Sequence, residues 1–406
     1  MAVNWRGDLG FSDRLAATAK MQVTYRIANP DCSSTEPSRN AKLLEEKARQ
    51  NALSLREYHE LCAKAVQLLL SAQAAGNVED RHVDEHIFPN LPLSGAQIGR
   101  YANAQHHSDG LFSEVFKAVD PEARSHHSRY ELVALKITVP DQMTPPHDSK
   151  KEARILVAAN GEHIITLLEA FQQAGGRFVL VFPFLPHGLD ALLRQGTLTG
   201  DSRRNILRDI FSGLAHIHNL GIIHRDIKPT NILLSSPTGP AFLIDFGIAW
   251  SPSDPASEPT IEKILDVGTT SYRPPELLFG HQAYENKLDM WAAGCVAAQV
   301  ACLGSKTLFD AGDLGSELAL IKSIFETLGT PDLAVWPEAA AFPDWAKMNF
   351  TQYPARQWPA ILPETDGTAV DLVSKLVVYE SHQRLTAEEA LEHPYLKRAS
   401  KGQINA

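Results

Sequence analysis

The sequence predicts an α+β protein in two lobes, a small β-rich one over 96–185 and a larger helical one over 186–398. Three observations carry this. Short β-type runs, Glu114–Ala118, Glu131–Val139 and Phe178–Phe182, gather in the first part. A single helical pattern, around Lys150–Ala159, lies among them. Beyond residue 188 the chain reads as mostly helical, as in the spacing of Ile206, Leu207, Ile210, Phe211, Leu214 and Ile217. Strands followed by helices is the α+β order.

The bulk numbers fit that reading. With 406 residues, 44% hydrophobic and 21% charged, the chain can bury one large two-lobed domain and carry an extension. A net charge of −10 argues against nucleic acid or an anionic membrane as a primary partner. The four cysteines, Cys32, Cys62, Cys295 and Cys302, form no Cys-x-x-Cys pair, so reduced thiols are expected. Arg6, Asp8, Asp13 and Arg14 interrupt any secretory signal, and the apolar run 290–304 is too short to span a bilayer. The cytoplasm, the nucleus or both are the expected location.

The extension covers residues 1–95. Its first 40 residues are turn-rich and without periodicity, and disorder is expected there. Over 41–73, Leu44, Ala48, Leu55, Tyr58, Cys62, Ala65 and Leu69 recur at helical spacing, which predicts one amphipathic helix. It would serve for docking or coiled-coil pairing, or pack on its own chain. Pro, Ser and Asp cluster at 251–260 as a long mobile loop, and 399–406 is a short polar tail.

The chemistry concentrates in His224-Arg225-Asp226-Ile227-Lys228-Pro229-Thr230-Asn231, just after the helical pattern of 206–217. Phosphoryl transfer asks a protein to hold phosphates, hold a metal and aim a hydroxyl. Asp226 can orient a substrate hydroxyl, and Lys228 can reach the transferring phosphate. Asn231 offers a neutral oxygen to Mg2+, a hard cation. A surface turn containing Asp and Asn is the bland alternative, and so many fixed residues in one short run argue against it. Ile244-Asp245-Phe246-Gly247 follows the apolar run Ala241-Phe242-Leu243 and places a carboxylate at a strand end, where Asp245 is the expected main Mg2+ ligand. Upstream, Val133-Ala134-Leu135-Lys136 is a strand whose Lys136 can bind the α- and β-phosphates. Glu152, on the next helix, is its candidate partner, the alternative being one more solvated helix charge. His106-His107, His126-His127 and His216-x-His218 suggest metal only superficially, since residues two apart on a helix do not face one way.

These motifs resemble the eukaryotic protein kinases over about 96–398, and most of all the cyclin-dependent branch of the CMGC group. Val267-Gly268-Thr269-Thr270-Ser271-Tyr272-Arg273-Pro274-Pro275-Glu276 matches the end of the activation segment, with Pro274 where most members have Ala. Asp289-Met290-Trp291-Ala292-Ala293-Gly294 matches the buried helix whose Asp holds the catalytic loop. Leu328-Gly329-Thr330-Pro331 and Trp336-Pro337 resemble the insert of that group, and His393-Pro394-Tyr395 its closing residues. The resemblance implies a serine/threonine kinase using ATP and Mg2+, with Asp226 as base and Arg384 paired to Glu276. It implies Phe182 as gatekeeper, the Pro183 carbonyl and Leu185 backbone on the adenine, and Val115, Ala134 and Leu233 around it. For these apolar residues plain core packing is the alternative.

The chain also departs from the pattern. The glycine-rich loop falls on Ser108-Asp109-Gly110-Leu111-Phe112-Ser113, where only Gly110 remains of three glycines. Leu111 and Phe112 stand where cell-cycle kinases carry inhibitory Thr and Tyr sites. Pro146-His147-Asp148-Ser149-Lys150-Lys151-Glu152 puts Lys150 where an apolar residue meets cyclin, which argues against a usual cyclin. Counting from Asp245 puts the activating phosphorylation at Thr260, whereas counting back from Thr269 puts it at Ile264. Arg225 would pair with that phosphate, or with Glu262 or Asp266 in its place. The combination resembles fungal single-subunit kinases that activate cyclin-dependent kinases, which implies a monomer with such a kinase as its protein substrate. The alternatives are a cyclin-bound kinase of transcription or the cell cycle, and a pseudokinase scaffold.

Overall fold

In a computed structural model the chain divides into two compact units, residues 1–90 and 91–406. The structure describes residues 96–122 and 131–397, apart from 303, 305, 313 and 314. Nearer the N-terminus it describes 18, 21–22, 24–26, 36–52, 57–58 and 61–66.

In the first unit, helix α1 runs over Glu36–Asn51. The expectation of one helix over 41–73 is corrected. Tyr58 Oη donates to Glu45 Oε1 at 2.9 Å, yet on a continuous helix these residues would stand about 20 Å apart. The chain therefore turns back on itself. The reason is burial: Met21, Ala41, Ala48, Ala52, Tyr58, Cys62 and Val66 close a small apolar core that a straight helix could not enclose. Met21 lies in a helical stretch, so the reading of 1–40 as structureless is corrected there too. Leu55 and Leu69 lie outside the described residues.

The second unit opens with strands β1 (Ala96–Ile98), β2 (Tyr101–Asp109), β3 (Ser113–Val119) and β4 (Leu132–Thr138). Helix α2 (Ser149–Ala158), β5 (Glu169–Gln173) and β6 (Arg177–Pro183) follow. The six strands form one antiparallel sheet in the order β1-β2-β3-β4-β6-β5. The strand period of two decides what faces the cleft. Val133, Leu135 and Ile137 turn into one sheet core with Val179 and Val181. Ala134 and Lys136 take the other face, where register sets Lys136 opposite Val115 on one side and Leu180 on the other. Asp148 caps α2 by accepting from the Lys150 and Lys151 amides at 2.8 and 2.9 Å, and Glu152 falls on the buried side of its first turn.

The helical lobe begins with β7 (His187–Gly188), α3 (Leu189–Gln195) and α4 (Gly200–Asn219), followed by β8 (Ile232–Leu234) and β9 (Ala241–Leu243). Then come α5 (Pro275–Leu278), α6 (Lys287–Cys302), α7 (Glu317–Leu328), α8 (Trp358–Ile361), α9 (Gly367–Leu376) and α10 (Ala387–Leu391). Helix α6 is apolar all round and buried along nearly its whole length, the pattern of a core helix. Beside it Arg384 and Glu276 form a buried two-pronged ion pair at 2.6 and 2.7 Å. Among the described residues no helix is long and apolar enough to cross a membrane.

Candidate active site

The cleft is assembled from both lobes. Lys136 Nζ donates to Glu152 Oε1 and Oε2 at 2.7 and 2.9 Å and to Asp245 Oδ1 at 2.8 Å. Three separate elements thus meet at one ammonium. Burial alone would discharge Lys136, but Asp245 and Glu152 outweigh it and hold its pKa above the ordinary value. Burial pushes the Glu152 carboxyl upward against the pull of Lys136. With both its oxygens on an ammonium that Asp245 also holds charged, the pair is ionic. Burial likewise opposes ionisation of Asp245, yet the ammonium of Lys136, with Lys228 and His224 behind it, keeps that carboxyl well below the usual range.

The catalytic loop hangs from α6. Asp289 is wholly buried and accepts from the His224 and Arg225 amides at 2.8 and 2.9 Å, with His218 Nε2 at 3.0 Å. Burial opposes its charge, but His218 and His224 prevail and its pKa lies below the ordinary value. Arg225 and Asp245 both sit in the left-handed backbone region, at φ 71° and 63°. Such positions cost about 1–3 kcal/mol each and persist where surrounding bonds over-determine them.

Asn231 Nδ2 donates to the Asp226 carbonyl at 2.8 Å and to Asp226 Oδ2 at 2.9 Å. Lys228 Nζ lies 2.7 Å from Asp226 Oδ2 and donates to Thr269 Oγ1, also at 2.7 Å. Thr269 in turn donates to Asp226 Oδ1 through its hydroxyl at 2.9 Å and its amide at 3.0 Å. Both oxygens of Asp226 are therefore aimed. The sequence reading used Thr269 only for counting and missed this contact, although the residue lies inside the motif ending at Glu276. Val115, Ala134, Leu185 and Leu233 are half-buried, Phe182 and Pro183 are buried, and Gly110 is exposed in the β2–β3 turn.

This arrangement, a lysine–glutamate pair between the lobes, an aimed aspartate and a second carboxylate on the lysine, is suited to moving a phosphoryl group. Comparison with known proteins agrees: residues 101–396 match the protein kinase domain family. The chain is a protein kinase. The kinase is 36% identical to the serine/threonine-protein kinase csk1 of Schizosaccharomyces pombe, over 68% of this chain and 88% of that protein. It is 33% identical to cyclin-dependent kinase 20 of Danio rerio, over 71% and 80% of the two chains. It is also 33% identical to the cell division control protein 2 homolog 3 of Trypanosoma brucei brucei, over 75% and 94%. It is a serine/threonine kinase of the cyclin-dependent-kinase-like type.

Within the kinase's activation segment the expected partners of Arg225 are corrected. Arg225 donates to Glu258, at 2.9 and 3.3 Å, rather than to Glu262 or Asp266. Asp266 is taken by Arg273, and Glu262 is exposed. The cause is the course of the segment. Trp250 Nε1 holds the Glu258 carbonyl at 2.9 Å. The buried Lys263 donates to the Thr260 and Tyr284 carbonyls while its ammonium lies 4.5 Å over the Trp250 ring. Residues 251–260 contain no helix or strand, but they are tied down: Arg154 of α2 donates to both oxygens of Asp254, at 2.7 and 3.0 Å. Thr260 is exposed. His216 lies on the Ala159 carbonyl and His218 on Asp289, and no three-residue metal cluster occurs among the described residues. His126 and His127 lie outside them.

Proposed function

We propose that this kinase activates a cyclin-dependent kinase by phosphorylating a hydroxyl in its activation loop, and that it acts as a monomer without a cyclin. The supporting observation is the tie between α2 and the chain's own activation segment, Arg154 to Asp254, beside the Arg225–Glu258 pair. Together they provide what a cyclin and an activating phosphate would otherwise supply, leaving Thr260 without a required role. Lys150, at the place where the family meets cyclin, is exposed, and burying it under a partner would cost desolvation. The resemblance to fungal single-subunit activating kinases points the same way.

In this reading Asp226 orients the substrate hydroxyl and receives its proton, and Lys228 steadies the transferring group. Lys136, positioned by Glu152, holds the nucleotide phosphates. Mg2+ and ATP, when bound, supply the phosphoryl group and neutralise its charge. The residues suit the cation. Asn231 turns its amide nitrogen to Asp226, which leaves its carbonyl oxygen, and Asp245 keeps 44% of its side chain exposed although one oxygen is on Lys136. Gly110, Val115, Ala134, Phe182, Pro183, Leu185 and Leu233 are the proposed nucleotide contacts.

The test is transfer of phosphate by the purified chain to an unphosphorylated cyclin-dependent kinase, with and without added cyclin. Activation-loop phosphorylation without cyclin is expected. A cyclin co-purifying at equal stoichiometry, or required for activity, would refute cyclin independence. A cellular role that survives Asp226→Asn would instead favour a scaffold.

A further inference from the structure

The tip of the β2–β3 turn is held in an unusual way. Gly110 N donates to Ser113 O at 2.6 Å, so the amide of the one remaining loop glycine is spent within the turn. Ser113 packs close in this turn, since a Cβ on Gly110 would fall 2.3 Å from Ser113 Oγ. Leu111 points to solvent, 67% exposed. Phe112 does not: its ring lies on the imidazole of His147, with centroids 4.9 Å apart and planes at 56°.

His147 is close to the reacting groups by backbone geometry. It precedes Asp148, whose amide donates to the Gly247 carbonyl at 3.2 Å. Gly247 lies against the cleft charges. A Cβ there would stand 3.2 Å from Asp245 Oδ1, 3.5 Å from Glu152 Oε2 and 3.7 Å from Lys136 Nζ. The imidazole is half-buried, and burial favours its neutral form, which carries one N–H donor.

We propose that His147 is a phosphate-binding residue: steadied by Phe112, it donates an imidazole N–H to the nucleotide phosphates in place of the Gly110 amide, which is spent within the turn. The tilted ring contact restrains the imidazole, and the Asp148–Gly247 bond ties the neighbouring backbone to the cleft charges. No counterpart is needed in a loop with all its glycines, because there the backbone itself approaches the phosphates. The proposal rests on the reading that the chain binds ATP with Mg2+, and the test separates the two.

Equilibrium binding of Mg·ATP and of adenosine is measured by calorimetry on the full chain and on His147→Ala, His147→Gln and Phe112→Ala. Losing a hydrogen bond to a charged acceptor predicts Mg·ATP binding weakened about tenfold in His147→Ala, with adenosine binding unchanged. His147→Gln, whose amide still donates, recovers much of the loss and guards against a folding effect of the Ala variant. Phe112→Ala weakens Mg·ATP in the same direction, and adds little on top of His147→Ala. Unaltered Mg·ATP binding in His147→Ala would overturn the proposal, as would equal weakening of ATP and adenosine. A wild-type chain that binds neither ligand would overturn the ATP reading itself, and the proposal with it.

Discussion

Replacing Glu258 with Ala removes the carboxylate that, among the described residues, is paired with Arg225, whose side chain is 0% exposed against 14% for Glu258. Removing one partner of a buried ion pair costs about 3–5 kcal/mol, because the other charge stays buried without compensation. Two features reduce that here. Water reaches Glu258, and the Arg225 guanidinium lies 5.4 Å over the Tyr284 ring, which still attracts it. A loss of about 2–3 kcal/mol remains, which shifts the ordered activation segment against its open states about 30- to 150-fold. Kinase activity in Glu258→Ala is therefore expected to fall more than about tenfold, with faster amide exchange over 251–265. Thr260→Ala and phosphatase treatment of the wild type are expected to leave activity unchanged. Full activity in Glu258→Ala, or loss of activity in Thr260→Ala, would refute the reasoning. The pH dependence has a definite sign. Burial opposes the Glu258 charge, but Arg225 outweighs it and the carboxyl titrates below its ordinary value. A depressed carboxylate stabilises the folded state above its unfolded pKa of about 4.3 and loses that as pH falls through the folded value. Segment order should thus hold at neutral pH and fail only in acid.

Three further outcomes can be checked. Lys136→Met leaves the buried Glu152 and the Asp245 carboxylate facing each other without a cation, so phosphate transfer should be lost and nucleotide binding weakened, as read by calorimetry. Glu276→Gln deprives the fully buried Arg384 of its charge partner, and a fall in Tm of about 10 °C is expected by calorimetric melting. Arg154→Ala breaks a pair whose arginine is 46% exposed, so its effect is discounted for solvent screening to about 1 kcal/mol or less. Activity should fall only a few-fold, and the gap to wild type should narrow in high salt.

Legibility in the sequence followed the range of each interaction. Strand alternation in 132–138 placed Lys136 on the cleft face, and the spacing within 224–231 placed Asp226, Lys228 and Asn231 in one loop, because both are short-range consequences of backbone geometry. The 3.6-residue period likewise marked α2 and α4, whereas α6 showed only as a continuous apolar run. It failed in the extension, where Leu44 to Leu69 kept helical spacing although the chain turns back after α1 to bury Tyr58 against Glu45. Periodicity reports which face is apolar, not whether that face is covered by a neighbour or by its own continuation. Counting along the activation segment failed for a related reason. A loop with extra residues has no register, and forward and backward counts gave Thr260 and Ile264 while the residue on Arg225 is Glu258.

The sequence by itself pointed to a two-lobed kinase and offered Asp226, Asn231, Asp245 and Lys136 as its proposed chemical set, each from a motif a few residues long, with Glu152 as the candidate partner on the next helix. Tertiary structure alone decided how that set is held ready. Lys136 and Asp245 are 109 residues apart, Arg154 and Asp254 are 100 apart, and Arg225 and Glu258 are 33 apart. A charge finds a partner at such separations only through the packing of whole elements, here α2, the catalytic loop and the segment laid across them. No local spacing encodes that choice among several nearby carboxylates.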